Sequence, residues 1–196
     1  MDDQTRHSGV MAAPPSTIIV LCTGRCGSMT LSRACGHLTN YTAAHESRTH
    51  LIGPARFDFG TNHIEIDNRL AWFTGRLEAA WGDRAAYVHL TREAEDVAQS
   101  FAKRAHQGIL KAYRGDLLAR SQAIPPVPRL IDFCRDYVET VTQNIHLFLR
   151  DKSHVMEMSL ETMAEDFDVF AGWIGAEGDL AAARAELNVA HNATEI

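Results

Sequence analysis

The sequence lacks any run approaching the roughly 18 consecutive apolar residues that a membrane-spanning helix requires, and its opening MDDQTRHSGVMAAPPS has no apolar core suited to a secretory signal. Both absences make the cytoplasm the expected location and exclude a membrane partner. Positive charge is also short: 19 Lys and Arg stand against 25 Asp and Glu, a formal charge of −6. A general nucleic-acid binder needs a strongly basic face to displace counterions from phosphates. Nucleic acid is therefore not expected, and any anion must be held locally. Cysteine is sparse, with Cys22, Cys26, Cys35 and Cys134 in no paired C-x-x-C spacing, so a zinc knuckle is not expected and the thiols read as reduced.

What is present suffices for a conventional core. The chain has 196 residues, 45% hydrophobic and 22% charged, which predicts one globular domain. Residues 1–16, polar and ending in Pro14 and Pro15, read as a mobile leader, with the domain spanning 17–196. The run TIIVLC at 17–22 is short, apolar and β-branched, as a strand covered on both faces would be. Leu31, Ala34, Cys35 and Leu38 then recur at helical spacing, predicting a helix that ends near Asn40. A short strand is predicted near Tyr41 to Ala44, and one long amphipathic helix over 70–81, capped by Asp67 or Asn68. Another buried strand is predicted at 85–90, followed by a helix carrying Ala94, Val97, Ala98, Phe101 and Ala105. The stretch 108–128 reads as a long connection with at most one helical turn. A helix of about five turns follows from Leu130 to Phe148, then a strand at 154–158 and a helix closed by Gly175. Strands alternating with helices predict an α/β fold: a single domain with a mainly parallel central sheet flanked by helices, P-loop nucleotide-binding-like.

The chemistry concentrates in the segment between the first strand and its helix, Thr23, Gly24, Arg25, Cys26, Gly27, Ser28, Met29 and Thr30. Unsatisfied backbone N–H groups and the helix dipole favour an anion there. The glycines let the main chain curl close to a ligand, and Ser28 and Thr30 add hydroxyl donors. A nucleotide-triphosphatase loop needs lysine before its Ser/Thr, and none is present. A tyrosine-phosphatase loop also fails, because Ser28 and Ser32 stand where arginine would have to follow Cys22 and Cys26. Considered alone, the segment remains open to a plain two-glycine turn. In a second segment, Arg92 ends a predicted strand and Ser100 follows eight residues later on a helix. An arginine there can fork onto a phosphate while the hydroxyl adds a short hydrogen bond.

With Arg25, Cys26, Gly27, Ser28 and Met29 in the first segment and Arg92 through Ser100 in the second, the chain resembles the sulfotransferase superfamily. That family's 5′-phosphosulfate loop reads like RSGST, and its 3′-phosphate motif is an arginine followed by a serine eight residues on. Cys26 and Met29 depart from the loop pattern. A weaker likeness covers 155–163, and the C-terminus has no RKG-type basic loop, for which Arg184, His191 or Asn192 are candidate substitutes. The resemblance implies 3′-phosphoadenosine 5′-phosphosulfate (PAPS) as donor, no metal, and transfer of a sulfuryl group to a hydroxyl or amine of a small-molecule or carbohydrate acceptor. Arg25 would then stand at the sulfuryl group. Glu46 is the first candidate base and His45 the second, with His63, beside Glu65, as a third. Arg48, Arg56 and Arg69 are candidate holders of an anionic acceptor. Two alternatives stay open: a P-loop phosphotransferase of kinase type, and a non-catalytic nucleotide-binding protein. Apolar residues on the helices leave a homodimer open.

Overall fold

In a computed structural model, residues 15–118 and 123–189 are described. The expected leader at 1–16 lies almost wholly outside them. The chain forms one α/β domain around a five-stranded sheet ordered β2-β3-β1-β4-β5, every pair parallel. The strands are β1 (Thr17–Cys22), β2 (Thr42–His45), β3 (His63–Ile66), β4 (Ala86–Thr91) and β5 (Val155–Ser159). Helices α1 (Ser28–Cys35), α2 (Thr74–Ala80), α3 (Ala94–Ala102), α4 (Gly108–Ala112), α5 (Val127–Leu149), α6 (Met163–Trp173) and α7 (Leu180–Leu187) connect and cover them. Among the described residues no helix is long and apolar enough to cross a membrane.

The continuous apolar run of β1 is explained by its central place. Every residue of β1 is buried, because successive side chains enter opposite cores. Ile18, Val20 and Cys22 pack with Leu31 of α1, Phe167 and Phe170 of α6 and Ala183 of α7. Ile19 and Leu21 face the other way, toward Leu77, Val97, Phe101, Tyr137 and Val141 of α2, α3 and α5. All four cysteines are buried free thiols; burial pushes Cys35 up to about 12 and Cys134 up to about 11, so these two stay protonated at neutral pH.

Several expectations are corrected. β3 was not predicted: His63 and Glu65 interrupt its apolar pattern, and only pairing with β1 and β2 makes HIEI a strand. The long helix over 70–81 is instead a 3₁₀ turn, Asn68–Trp72, followed by α2. Asp67 starts that turn by accepting from the Arg69 N–H at 2.8 Å. Helix α1 stops at Cys35, short of Asn40, with Gly36 donating to the Ser32 and Arg33 carbonyls. The connection at 108–128 contains α4 and a wide π turn, Tyr113–Leu118. Helix α5 runs 23 residues, longer than expected, because Pro128 sits in its first turn, where a missing N–H costs nothing. Gly175, with φ +61°, closes the α6 segment as expected.

The strand order positions the site. From β1 the chain runs to the edge strand β2 and returns through β3, then crosses to β4 and on to the other edge at β5. Connections leaving β1 and β4 therefore diverge, opening a crevice at the carboxyl ends of these two adjacent strands.

Candidate functional site

That crevice is a cleft of about 600 Å³, within the range of small-molecule sites. Its floor is the loop after β1. Gly24 (φ +86°), Arg25 (φ +63°) and Gly27 (φ +84°) all take left-handed conformations that turn the main chain tightly into α1. A side chain at Gly24 would meet the Asn68 amide at 2.5 Å, so glycine is required there for close packing as well as for φ. Tyr137 on α5 fixes the base of the loop by donating its hydroxyl to the Thr23 carbonyl at 2.9 Å. Among the described residues no side chain caps the α1 N-terminus, and its first turn carries no acidic residue. The first-turn N–H groups therefore open toward the cleft, where Ser28, Met29 and Thr30 form part of the wall.

Arginines dominate the charge. Arg25 Nε donates to Ser100 Oγ at 2.9 Å, and an Arg92 amino group donates to the Arg25 carbonyl at 3.2 Å. Burial, followed by the nearby Arg104 and Arg92 cations, pulls the Arg25 pKa below its ordinary value. Positive φ at a non-glycine residue is a strained backbone state, and Arg25 holds it at the cleft floor. Among the described residues three non-glycines have positive φ: Arg25, Glu46 and Asn62. Two of them line this cleft.

The opposite wall comes from the end of β2. His45 and Glu46 both face the cleft. His45 Nε2 lies 3.0 Å from Ser28 Oγ, and the Glu46 carboxylate is ion-paired with Arg69. His63 is not brought to the site. It begins β3 at the end of the sheet away from the cleft, where its ring nitrogens meet Thr42 Oγ1 at 2.8 Å and Glu65 at 3.1 Å. Burial raises the Glu65 pKa, but bonds from His63 and Ser47 outweigh it and hold the carboxylate below its usual range. Arg56 is buried against Asp67, and Arg48 donates to the Ala55 carbonyl, so neither reaches the cleft wall.

Of the loop residues singled out from sequence, Gly24, Arg25, Gly27, Ser28, Met29 and Thr30 line the cleft, as does Arg92. Thr23 and Cys26 do not. Both are buried, Cys26 in the core with Leu31 and Met163, so neither side chain is available to a ligand. Ser100 stands behind Arg25 as its hydrogen-bond partner rather than on the wall. Arg184 is ion-paired with Asp168 and away from the cleft, while His191 and Asn192 lie outside the described residues. Sequence reasoning missed Asn68, Phe101, Leu160 and residues 187–189, all of which line the cleft. Asn68 Oδ1 is buried there without a hydrogen-bond partner among the described residues. The C-terminal residues arrive because Gly178 bridges to Leu38 beyond α1 and α7 packs on α1, bringing the Val189 carbonyl to 3.4 Å from Thr30 Oγ1. No protein-family model, curated protein or solved structure matches this chain.

Proposed function

We propose that the cleft binds 3′-phosphoadenosine 5′-phosphosulfate and transfers its sulfuryl group to a hydroxyl or amine of a small-molecule or carbohydrate acceptor. One observation carries the reading. Arg25 and Ser100, 75 residues apart, are in direct hydrogen-bond contact, with Arg92 bonded to the Arg25 carbonyl beside them. The two segments therefore meet, bringing Arg25 and Arg92 together at the start of α1. A donor with negative groups at both ends of a nucleoside suits such a pair of sites.

In this reading the glycine loop and the α1 N–H groups hold the 5′-phosphosulfate, and Arg92 turns from the Arg25 carbonyl onto the 3′-phosphate. Arg25 stabilises the charge that grows on the bridging and sulfuryl oxygens as the sulfur–oxygen bond to the 5′-phosphate breaks. The acceptor oxygen or nitrogen attacks sulfur from the opposite side, and its proton passes to His45, which leaves 3′-phosphoadenosine 5′-phosphate (PAP). His45 is preferred to Glu46 as the base because the Glu46 carboxylate is engaged by Arg69, whereas His45 reaches the loop itself through Ser28. Glu46, held by Arg69 behind it, then forms part of the acceptor-side wall.

Calorimetric titration with PAP, AMP and ATP tests the reading. PAP is expected to bind more tightly than both. PAP binding equal to or weaker than that of AMP overturns the donor assignment, and preference for magnesium–ATP points to a phosphotransferase. Retained PAP affinity with no turnover on any hydroxyl or amine acceptor would leave a nucleotide-binding protein. For the base, His45→Gln should lower turnover more than Glu46→Gln; the reverse order returns the role to Glu46.

A further inference from the structure

A second group of polar side chains lies outside the cleft, on the α5-covered face of the sheet near its β5 edge. His89 of β4 is directly opposite Glu157 of β5 in the parallel register, and His146, in the last turns of α5, meets the His89 ring edge-on with centroids 5.1 Å apart. One ligand atom from each of His89, His146 and Glu157 lies within 4.8 Å of the other two. None of the three lines the cleft.

We propose that these residues bind a divalent transition-metal ion of the zinc class. Two imidazoles and one carboxylate are a donor set that suits Zn²⁺ and leaves a fourth position for water. The unexplained atom is in His89. The residue is 2% exposed, and its buried Nδ1 has no hydrogen-bond partner among the described residues. A buried nitrogen without a partner is unfavourable, and such atoms call for a bound water or ion. Around a tetrahedral zinc with bonds of about 2.0–2.2 Å, ligand atoms stand roughly 3.3 Å apart. The widest pair must therefore close by up to about 1.5 Å. The side chains that would have to move are His146 and Glu157, both at exposed positions, while His89 is fixed by its burial. Three separate elements supply the ligands, so no local spacing in the sequence signals the site. Binding would tie the C-terminal part of α5 to the edge strand β5, holding a strand that has a neighbour on one side only.

The full chain, treated with a chelator and dialysed, is titrated calorimetrically with Zn²⁺ alongside His146→Gln and Glu157→Gln. Far-UV circular dichroism checks that both variants keep the fold, which exposed positions should allow. Wild type is expected to bind one ion per chain. Each variant should bind at least about 10-fold more weakly, since even loss of a residue that only supports a ligand costs about 10–100-fold. Added Zn²⁺ should raise the melting temperature of wild type and not that of the double variant. Ten histidines in the chain provide background sites, so the comparison between proteins is decisive. The absence of saturable binding near one equivalent, or unchanged affinity in either variant, overturns the site.

Discussion

Replacing Arg92 with alanine separates a ligand-binding arginine from a structural one. Its guanidinium makes two long contacts, 3.2 Å to the Arg25 carbonyl and 3.4 Å to the Asp96 carboxylate one helical turn away. The Asp96 side chain is 59% exposed, so the pair is screened and contributes about 0.3–0.5 kcal/mol. With the long bond to the Arg25 carbonyl adding about 0.5–1 kcal/mol, the loss for a chain of this size corresponds to a melting-temperature drop of about 2–6 °C. Turned onto a 3′-phosphate, the same guanidinium makes a charge-assisted hydrogen bond worth about 1.5–3 kcal/mol. PAP should therefore bind roughly 10–150-fold more weakly to Arg92→Ala. AMP, which has no 3′-phosphate, should bind within about 3-fold of its wild-type affinity, since a group that is not contacted costs little to lose. Lysine at the same position keeps charge without the fork and should fall between. Isothermal calorimetry on the three proteins with both nucleotides, together with a thermal melt, supplies every quantity. Equal losses for PAP and AMP would remove Arg92 from the 3′-phosphate. A drop in melting temperature above about 8 °C would show that its role is structural.

Other consequences are equally direct. Tyr137→Phe leaves the buried Thr23 carbonyl without its donor and should cost about 1–3 kcal/mol, seen as a melting-temperature drop of several degrees; an unchanged melt would mean that the loop does not depend on this bond. Gly27→Ala forces a residue with φ +84° to carry a Cβ that would lie 2.7 Å from Leu160 Cδ1 and 2.8 Å from Met163 Cε. The left-handed backbone alone costs about 1–2 kcal/mol, so the urea midpoint should fall, and wild-type stability would refute the conformational argument. The Glu65 carboxylate, held below its ordinary 4.5, contributes stability above that pH which is lost as pH falls through its folded-state value. Glu65→Gln should therefore flatten the acid limb of the stability–pH curve, and parallel curves for the two proteins would exclude Glu65 as a source of acid sensitivity.

Much of the fold was legible because its signals are local. A six-residue apolar strand followed by glycines and a helix start announces itself within fourteen residues, 17–30, and so do β4 with α3 and the apolar face of α5. The loop residues were found for the same reason: positive φ at Gly24 and Gly27 is a preference written into the residue type. The strand β3 was not legible, since four residues with a histidine and a glutamate become a strand only when β1 and β2 flank them. The break between the 3₁₀ turn and α2 was also hidden, because the apolar spacing continues across it.

Sequence by itself determined an α/β chain with an anion-suited loop after its first strand and an arginine–serine pair after a later one. Tertiary structure decided how those pieces meet. It brought Arg25 onto Ser100, set His45 against Ser28, paired Glu46 with Arg69, and buried Thr23 and Cys26 away from the cleft. It also brought residues 187–189 to the cleft and gathered His89, His146 and Glu157 at the far face of the sheet. The reason is physical: φ preference and hydrophobic period are properties of neighbouring residues, whereas strand order determines which distant loops share a crevice, and no spacing along the chain encodes that order.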